Sequence, residues 1–148
     1  MIVDVHPDNQ CDIPVNNDPS LCEQFARILK GTSKIEKGVC SVSMHRNINV
    51  IIQGRPSTTV IPVGVLYESL DHNGNSLNLA EIAILQEEIP AFMQAVTQQG
   101  IIVSALHNHW LYMKPMIMYI HLQSIEPPLN FAHKIAYAFS FLSSAPLK

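Results

Sequence analysis

The sequence predicts an α+β fold, an antiparallel sheet with helices packed on it, and three observations predict it. Apolar residues recur at helical spacing in three separated stretches. They alternate with polar residues through the stretches between, and a strong turn signal divides two of the alternating runs. The expected order of elements is α-β-β-β-β-α-β-β-α. Strands grouped in this way exclude a doubly wound α/β arrangement. A chain of 148 residues suffices for one domain with its own core.

Residues 1–17 are rich in Asp, Asn and Pro and carry little periodicity, so they read as an irregular lead-in to a single domain over 18–148. Asp18-Pro19 has the form of an N-cap followed by proline at the first helical position. Leu21, Phe25, Ile28 and Leu29 then form one stripe of a helix, and Gly31 is placed to end it. From residue 33 to 85 the period becomes two. Strands are expected at 39–43, 47–53, 60–70 and 77–85, with Asp71-His72-Asn73-Gly74-Asn75 as a turn between the last pair. Ile89, Phe92, Met93 and Val96 mark a second helix. Its Pro90 is tolerated in the first turn, Glu87 and Glu88 complement the helix dipole, and Gly100 stops it. Two more strands follow, 101–109 and 116–123, and Pro127-Pro128 opens a final helix whose buried stripe is Ala132, Ile135, Ala136 and Phe139.

Composition narrows the function classes. Hydrophobic residues make up 47% and charged residues only 14%, well below the usual quarter, which points to self-association as a homo-oligomer. A net charge of −3, with the cations scattered, offers no stripe for nucleic acid. No apolar run approaches the ~20 residues a membrane helix needs. Met1 to Pro7 lacks the basic and apolar regions of a signal peptide, so the expected location is the cytoplasm. Cys11, Cys22 and Cys40 are odd in number and lack C-x-x-C spacing, which argues against a disulfide framework and against a cysteine-rich zinc site. Cys22 and Cys40 are expected to be small buried hydrophobes.

The chemistry concentrates in Ala105-Leu106-His107-Asn108-His109. Alternate residues of a strand share a face, so Val103, Ala105, His107 and His109 are expected on one side, with Ser104, Leu106 and Asn108 on the other. His121 joins the first group if the partner strand pairs with matching parity, which a six-residue connection does not fix. Three imidazoles at one point suit zinc or another divalent metal. Glu81, Glu87 and Glu88 are the available carboxylates, with Glu88 the expected ligand or general base. The alternative is a helix-dipole role for the glutamates and a loop-capping role for His-Asn-His. Asn108 and Trp110 are the expected ligand-binding residues beside the histidines. Met113, Met116 and Met118 are expected to fill core gaps.

The run Ala80-Glu81 through Gln86-Glu87-Glu88-Ile89, the run Gly100-Ile101 to Ala105-Leu106-His107-Asn108-His109, and the later strand from Pro115 to His121 together resemble the LppY/LpqO family, a domain of unknown function. Arg46-Asn47-Ile48-Asn49-Val50 and Gly54 resemble it more loosely. The likeness covers roughly residues 20–142 and implies motif positions at Glu88, His107, Asn108, His109 and His121. Ser104 stands where the family often has Thr. Named members are lipoproteins with an export signal, which the start of this sequence does not show. Two functions follow as expectations. One is a metal-dependent hydrolase with His107, His109 and His121 as ligands and Glu88 beside them. The other is a small-molecule binding or sensing domain without catalysis.

Overall fold

The structure is a computed structural model and describes residues 19–148; the expected lead-in over 1–17, the Asp18 cap and Cys11 lie outside the described residues. Helix α1 (Pro19–Leu29) leads into β1 (Thr32–Glu36) and β2 (Val39–His45), followed by β3 (Val50–Ile52), β4 (Arg55–Ser57), β5 (Pro62–Glu68) and β6 (Ser76–Leu85). A 3-10 turn (Gln86–Glu88) runs into α2 (Ile89–Thr97), then β7 (Ile102–His107), β8 (Met113–Lys114), β9 (Ile117–Glu126) and α3 (Pro128–Phe139). The α+β class and the antiparallel pairing are as expected.

Six strands form one antiparallel sheet in the order β1-β2-β5-β6-β9-β7, and β4-β3-β8 form a small second sheet. The segment expected as a strand over 47–53 thus leaves the meander and pairs with β8 and β4, while β1 takes a place at the edge of the main sheet. All three helices pack on one face of the main sheet. Phe25, Phe92 and Phe131 meet Val42, Val65, Ile82 and Leu122 there in the principal core. The small sheet covers one end of the opposite face, where Val50, Ile61, Met113, Ile117 and Tyr119 make a second core. This second layer explains where the alternation of β6 breaks. Its burial alternates as far as Ile82, and then Ala83 is buried as well because the small sheet lies over it.

Two sequence expectations are corrected in local detail. Cys22 and Cys40 are buried, as expected, but they are joined in a disulfide that ties α1 to β2, with Cα atoms 5.7 Å apart. An odd cysteine count does not reveal which two residues the packing of helix on strand brings together. At the end of α1, Lys30 takes the left-handed backbone conformation (φ 63). Gly31 is needed for a different reason, since a Cβ there would collide with the side chains of Val42 and Met44.

Candidate metal centre

The open face of the main sheet carries the site. Antiparallel register sets Gly64 opposite Glu81, Glu81 opposite His121, and His121 opposite Ala105, so these residues form one row across four strands. In the next row Ala83 faces Tyr119 and Tyr119 faces His107. The parity that the sequence leaves open is therefore the one that brings His121 to the side of His107. The small sheet covers the row of Ala83 and Tyr119, and the row of Glu81 and His121 is the first beyond its rim.

A β-bulge produces this register. Val103 lies opposite Leu122 and Ala105 opposite His121, so Ser104 is an extra residue on β7. Its hydroxyl donates to the carbonyl of His121 at 3.3 Å. Val103 and Leu106 consequently pack against the principal core, while Ala105 and His107 face outward. The expectation that Val103 shares the histidine face is corrected by this bulge, since one inserted residue reverses every side chain before it.

The donor atoms of His107, His109 and His121 all lie within 4.8 Å of one another. The rings of His107 and His109 are stacked with centroids 4.9 Å apart, and His107 and His121 are 5.0 Å apart. His109 lies just past the end of β7 and is held from the sheet side. Its ring stacks on Tyr119 at 4.1 Å, with Trp110 edge-on at 5.1 Å. The Tyr119 hydroxyl donates to the Val60 carbonyl at 2.5 Å, which anchors the platform. Burial, with a smaller contribution from the negative charge of Glu81, pushes the Tyr119 phenol up to about 12, so it stays protonated throughout the physiological range. Asn108 does not point into the cluster; its amide donates to the Trp110 carbonyl at 3.1 Å and shapes the loop.

Of the three carboxylates the sequence offers, only Glu81 approaches the histidines, with an oxygen 4.0 Å from Nδ1 of His121. The other imidazole nitrogen, Nε2, is shielded from solvent and has no hydrogen-bond partner among the described residues. Glu88 has other partners. Its carboxylate accepts from both terminal nitrogens of Arg46 (3.0 and 2.7 Å), from the Leu85 amide (2.8 Å), and from the amide and hydroxyl of Ser143 (2.8 and 2.6 Å). Burial alone would raise its pKa, but these donors outweigh it and bring the carboxyl down to about 2. A carboxylate so saturated with donors is a poor proton acceptor, and it lies outside the histidine set.

A family model described as Domain of Unknown Function (DUF1259) matches residues 23–141. The chain belongs to that family. No curated protein and no solved structure matches the chain. The matched span contains the three histidines, Glu81, Tyr119 and the Ser104 bulge. Family membership therefore covers the whole of the cluster without assigning it a chemistry.

Beside the cluster runs a groove of about 400 Å³, floored by β2, β5 and β6. Ser41, Ser43, Gly64, Leu66, Leu79, Glu81, Ser104 and His121 line it. No Lys or Arg contributes, and Glu81 is its one acidic residue. His121 and Glu81 belong to both groove and cluster, so a molecule in the groove lies against the edge of the histidine site. Strand alternation puts Tyr119 on the face of His121, two residues on, but gives no sign that its ring underlies His109. Among the described residues, no helix is long and apolar enough to cross a membrane.

Proposed function

We propose that the protein is a metal-dependent hydrolase that holds one divalent ion, zinc by preference, through His107, His109 and His121. The convergence of the three imidazoles carries this reading. Tetrahedral zinc with bonds of about 2.0–2.1 Å needs nitrogens roughly 3.4 Å apart, so a small inward movement of the rings completes the site. The unpartnered Nε2 of His121 supports it, because a buried nitrogen without a partner is costly unless something takes its lone pair. Three histidine ligands leave a position for water or substrate, and zinc makes such a water a nucleophile near neutral pH. The groove is the proposed seat for the substrate, with Trp110 at the margin of the cluster. The A-L-H-N-H run from Ala105 to His109 favours the LppY/LpqO branch of the family.

The alternative, binding or sensing without turnover, is favoured by a specific observation. The carboxylate expected as general base, Glu88, is consumed by Arg46 and Ser143. As to location, the Cys22–Cys40 disulfide favours an oxidising compartment over the cytoplasm expected from the sequence. Elemental analysis of protein purified without a histidine tag tests the metal reading. About one equivalent of metal, removed by chelation together with hydrolysis of a chromogenic ester and restored by zinc, is expected. Less than roughly a tenth of an equivalent, with none gained on adding zinc, refutes it. Full metal occupancy without turnover across ester and amide substrates selects the binding reading.

A further inference from the structure

We propose that Glu81 is a positioning residue for His121: it faces the Nδ1 side of the imidazole, so that Nε2 is the nitrogen offered to the ion shared with His107 and His109. The proposal rests on the metal reading above and adds which nitrogen binds and what sets it.

Cross-strand register makes the two residues direct neighbours on the open face, Glu81 on β6 and His121 on β9. The carboxylate oxygen is 4.0 Å from Nδ1, a small side-chain rotation short of a hydrogen bond. A neutral imidazole carries one N–H and one lone pair, and the partner of one nitrogen decides which is which. A carboxylate accepts and never donates, so its place beside Nδ1 puts the proton there and leaves the lone pair on Nε2. That same Nε2 is the nitrogen the fold buries and leaves without a hydrogen-bond partner among the described residues. Two independent features, a carboxylate at one nitrogen and an orphaned atom at the other, thus agree on the orientation of the ring. Glu81 itself lies outside the set of donor atoms within 4.8 Å of one another, which argues against its being a fourth ligand. The backbone of His121 is fixed separately by the Ser104 hydroxyl, so the carboxylate is left to set the ring alone.

A carboxylate in this place fixes the tautomer and raises the basicity of the coordinating nitrogen, and its loss typically weakens metal binding about 10–100-fold. The test is a zinc titration by chelator competition on the wild-type chain, on Glu81→Gln, and on Glu36→Gln. Glu36→Gln removes the same charge from the far edge strand of the sheet. Glu81→Gln is expected to lose about 10–100-fold in affinity and Glu36→Gln to stay within about twofold, with metal-free melting temperatures unchanged. Side-chain nitrogen NMR of the zinc-loaded wild type is expected to show His121 protonated at Nδ1 and coordinated through Nε2. Equal affinity in Glu81→Gln, coordination through Nδ1, or a metal-free melting temperature lowered in step with affinity overturns the proposal. A wild type that takes up no zinc overturns the metal reading as well, whereas tight binding in both wild type and Glu81→Gln overturns only this inference.

Discussion

Replacing Glu88 by Gln separates a catalytic role from a structural one at a buried, heavily hydrogen-bonded carboxylate in the turn after β6. The side chain is 3% exposed and its partner Arg46 0%, so the change leaves a guanidinium buried without its counter-ion. It also faces an amide NH₂ toward donors that now find no acceptor. Removing one partner of a buried pair costs about 3–5 kcal/mol. The depressed carboxyl pKa gives a second figure. The folded pKa is depressed from the ordinary 4.5 to about 2. A depressed carboxyl contributes stability that is complete above about pH 4.5 and is lost as pH falls through about 2. A shift of that size corresponds to about 3 kcal/mol at 1.36 kcal/mol per unit. The two figures agree. Urea unfolding followed by circular dichroism at pH 7 should therefore show Glu88→Gln less stable by about 3–5 kcal/mol. Near pH 2 the gap between variant and wild type should have largely closed. A variant within about 1 kcal/mol of wild type at pH 7 would refute the structural assignment and return Glu88 to the list of catalytic candidates.

Other perturbations address the remaining parts. His107→Ala and His109→Ala, at exposed positions, should abolish metal uptake while moving metal-free stability by no more than about 0.5 kcal/mol; elemental analysis and thermal melts check both. Gly64→Phe should keep the fold and the metal but block hydrolysis or ligand entry, because a Cβ there meets nothing within 4 Å and the ring would fill the groove; unchanged turnover would exclude the groove. Tyr119→Phe should cost about 1–2 kcal/mol through the unsatisfied Val60 carbonyl, yet leave zinc affinity intact because the ring under His109 remains. The double change Cys22→Ser with Cys40→Ser should cost about 3 kcal/mol for a closed segment of 18 residues. Thiol alkylation before and after reduction should find the pair oxidised in the native protein.

Much of this architecture is legible in the sequence because it rests on periodicity. The three helices and five of the six strands of the main sheet follow from apolar spacing, whereas β1, exposed along its whole length, gives no such signal; the partnership of His107 with His109 follows from a two-residue step. What escapes is set by single residues and by pairings distant in sequence. Ser104 reads as an ordinary strand residue, and only the pairing of Val103 with Leu122 and of Ala105 with His121 reveals a bulge. The 47–53 stretch has the alternation of a sheet strand, but nothing local tells it to pair with Met113 and Lys114. Arg46 and Glu88 are 42 positions apart, and a lone arginine after a strand gives no hint that it will be buried. The same holds for the cysteines, whose pairing depends on how α1 docks.

The two faces of the main sheet divide the work, and the division accounts for the fate of the two glutamates. Glu88 sits where the helices, the C-terminal segment at Ser143 and the turn after β6 converge. Every donor there is supplied by the protein, and its charge is spent on holding those parts together. Glu81, seven positions earlier and within β6, is on the uncovered face with His121 directly opposite it. Strand alternation sets the face of Glu81 alone, since Glu88 lies in the turn beyond β6, and the rim of the small sheet leaves Glu81 facing a groove. Had that sheet extended one more row, Glu81 and His121 would be as enclosed as Ala83 and Tyr119, and no ligand could reach them. Had it been one row shorter, Tyr119 would lose the burial that holds its ring beneath His109. The reach of β3 and β8 over the main sheet is thus the structural feature on which an accessible and preorganised histidine cluster depends.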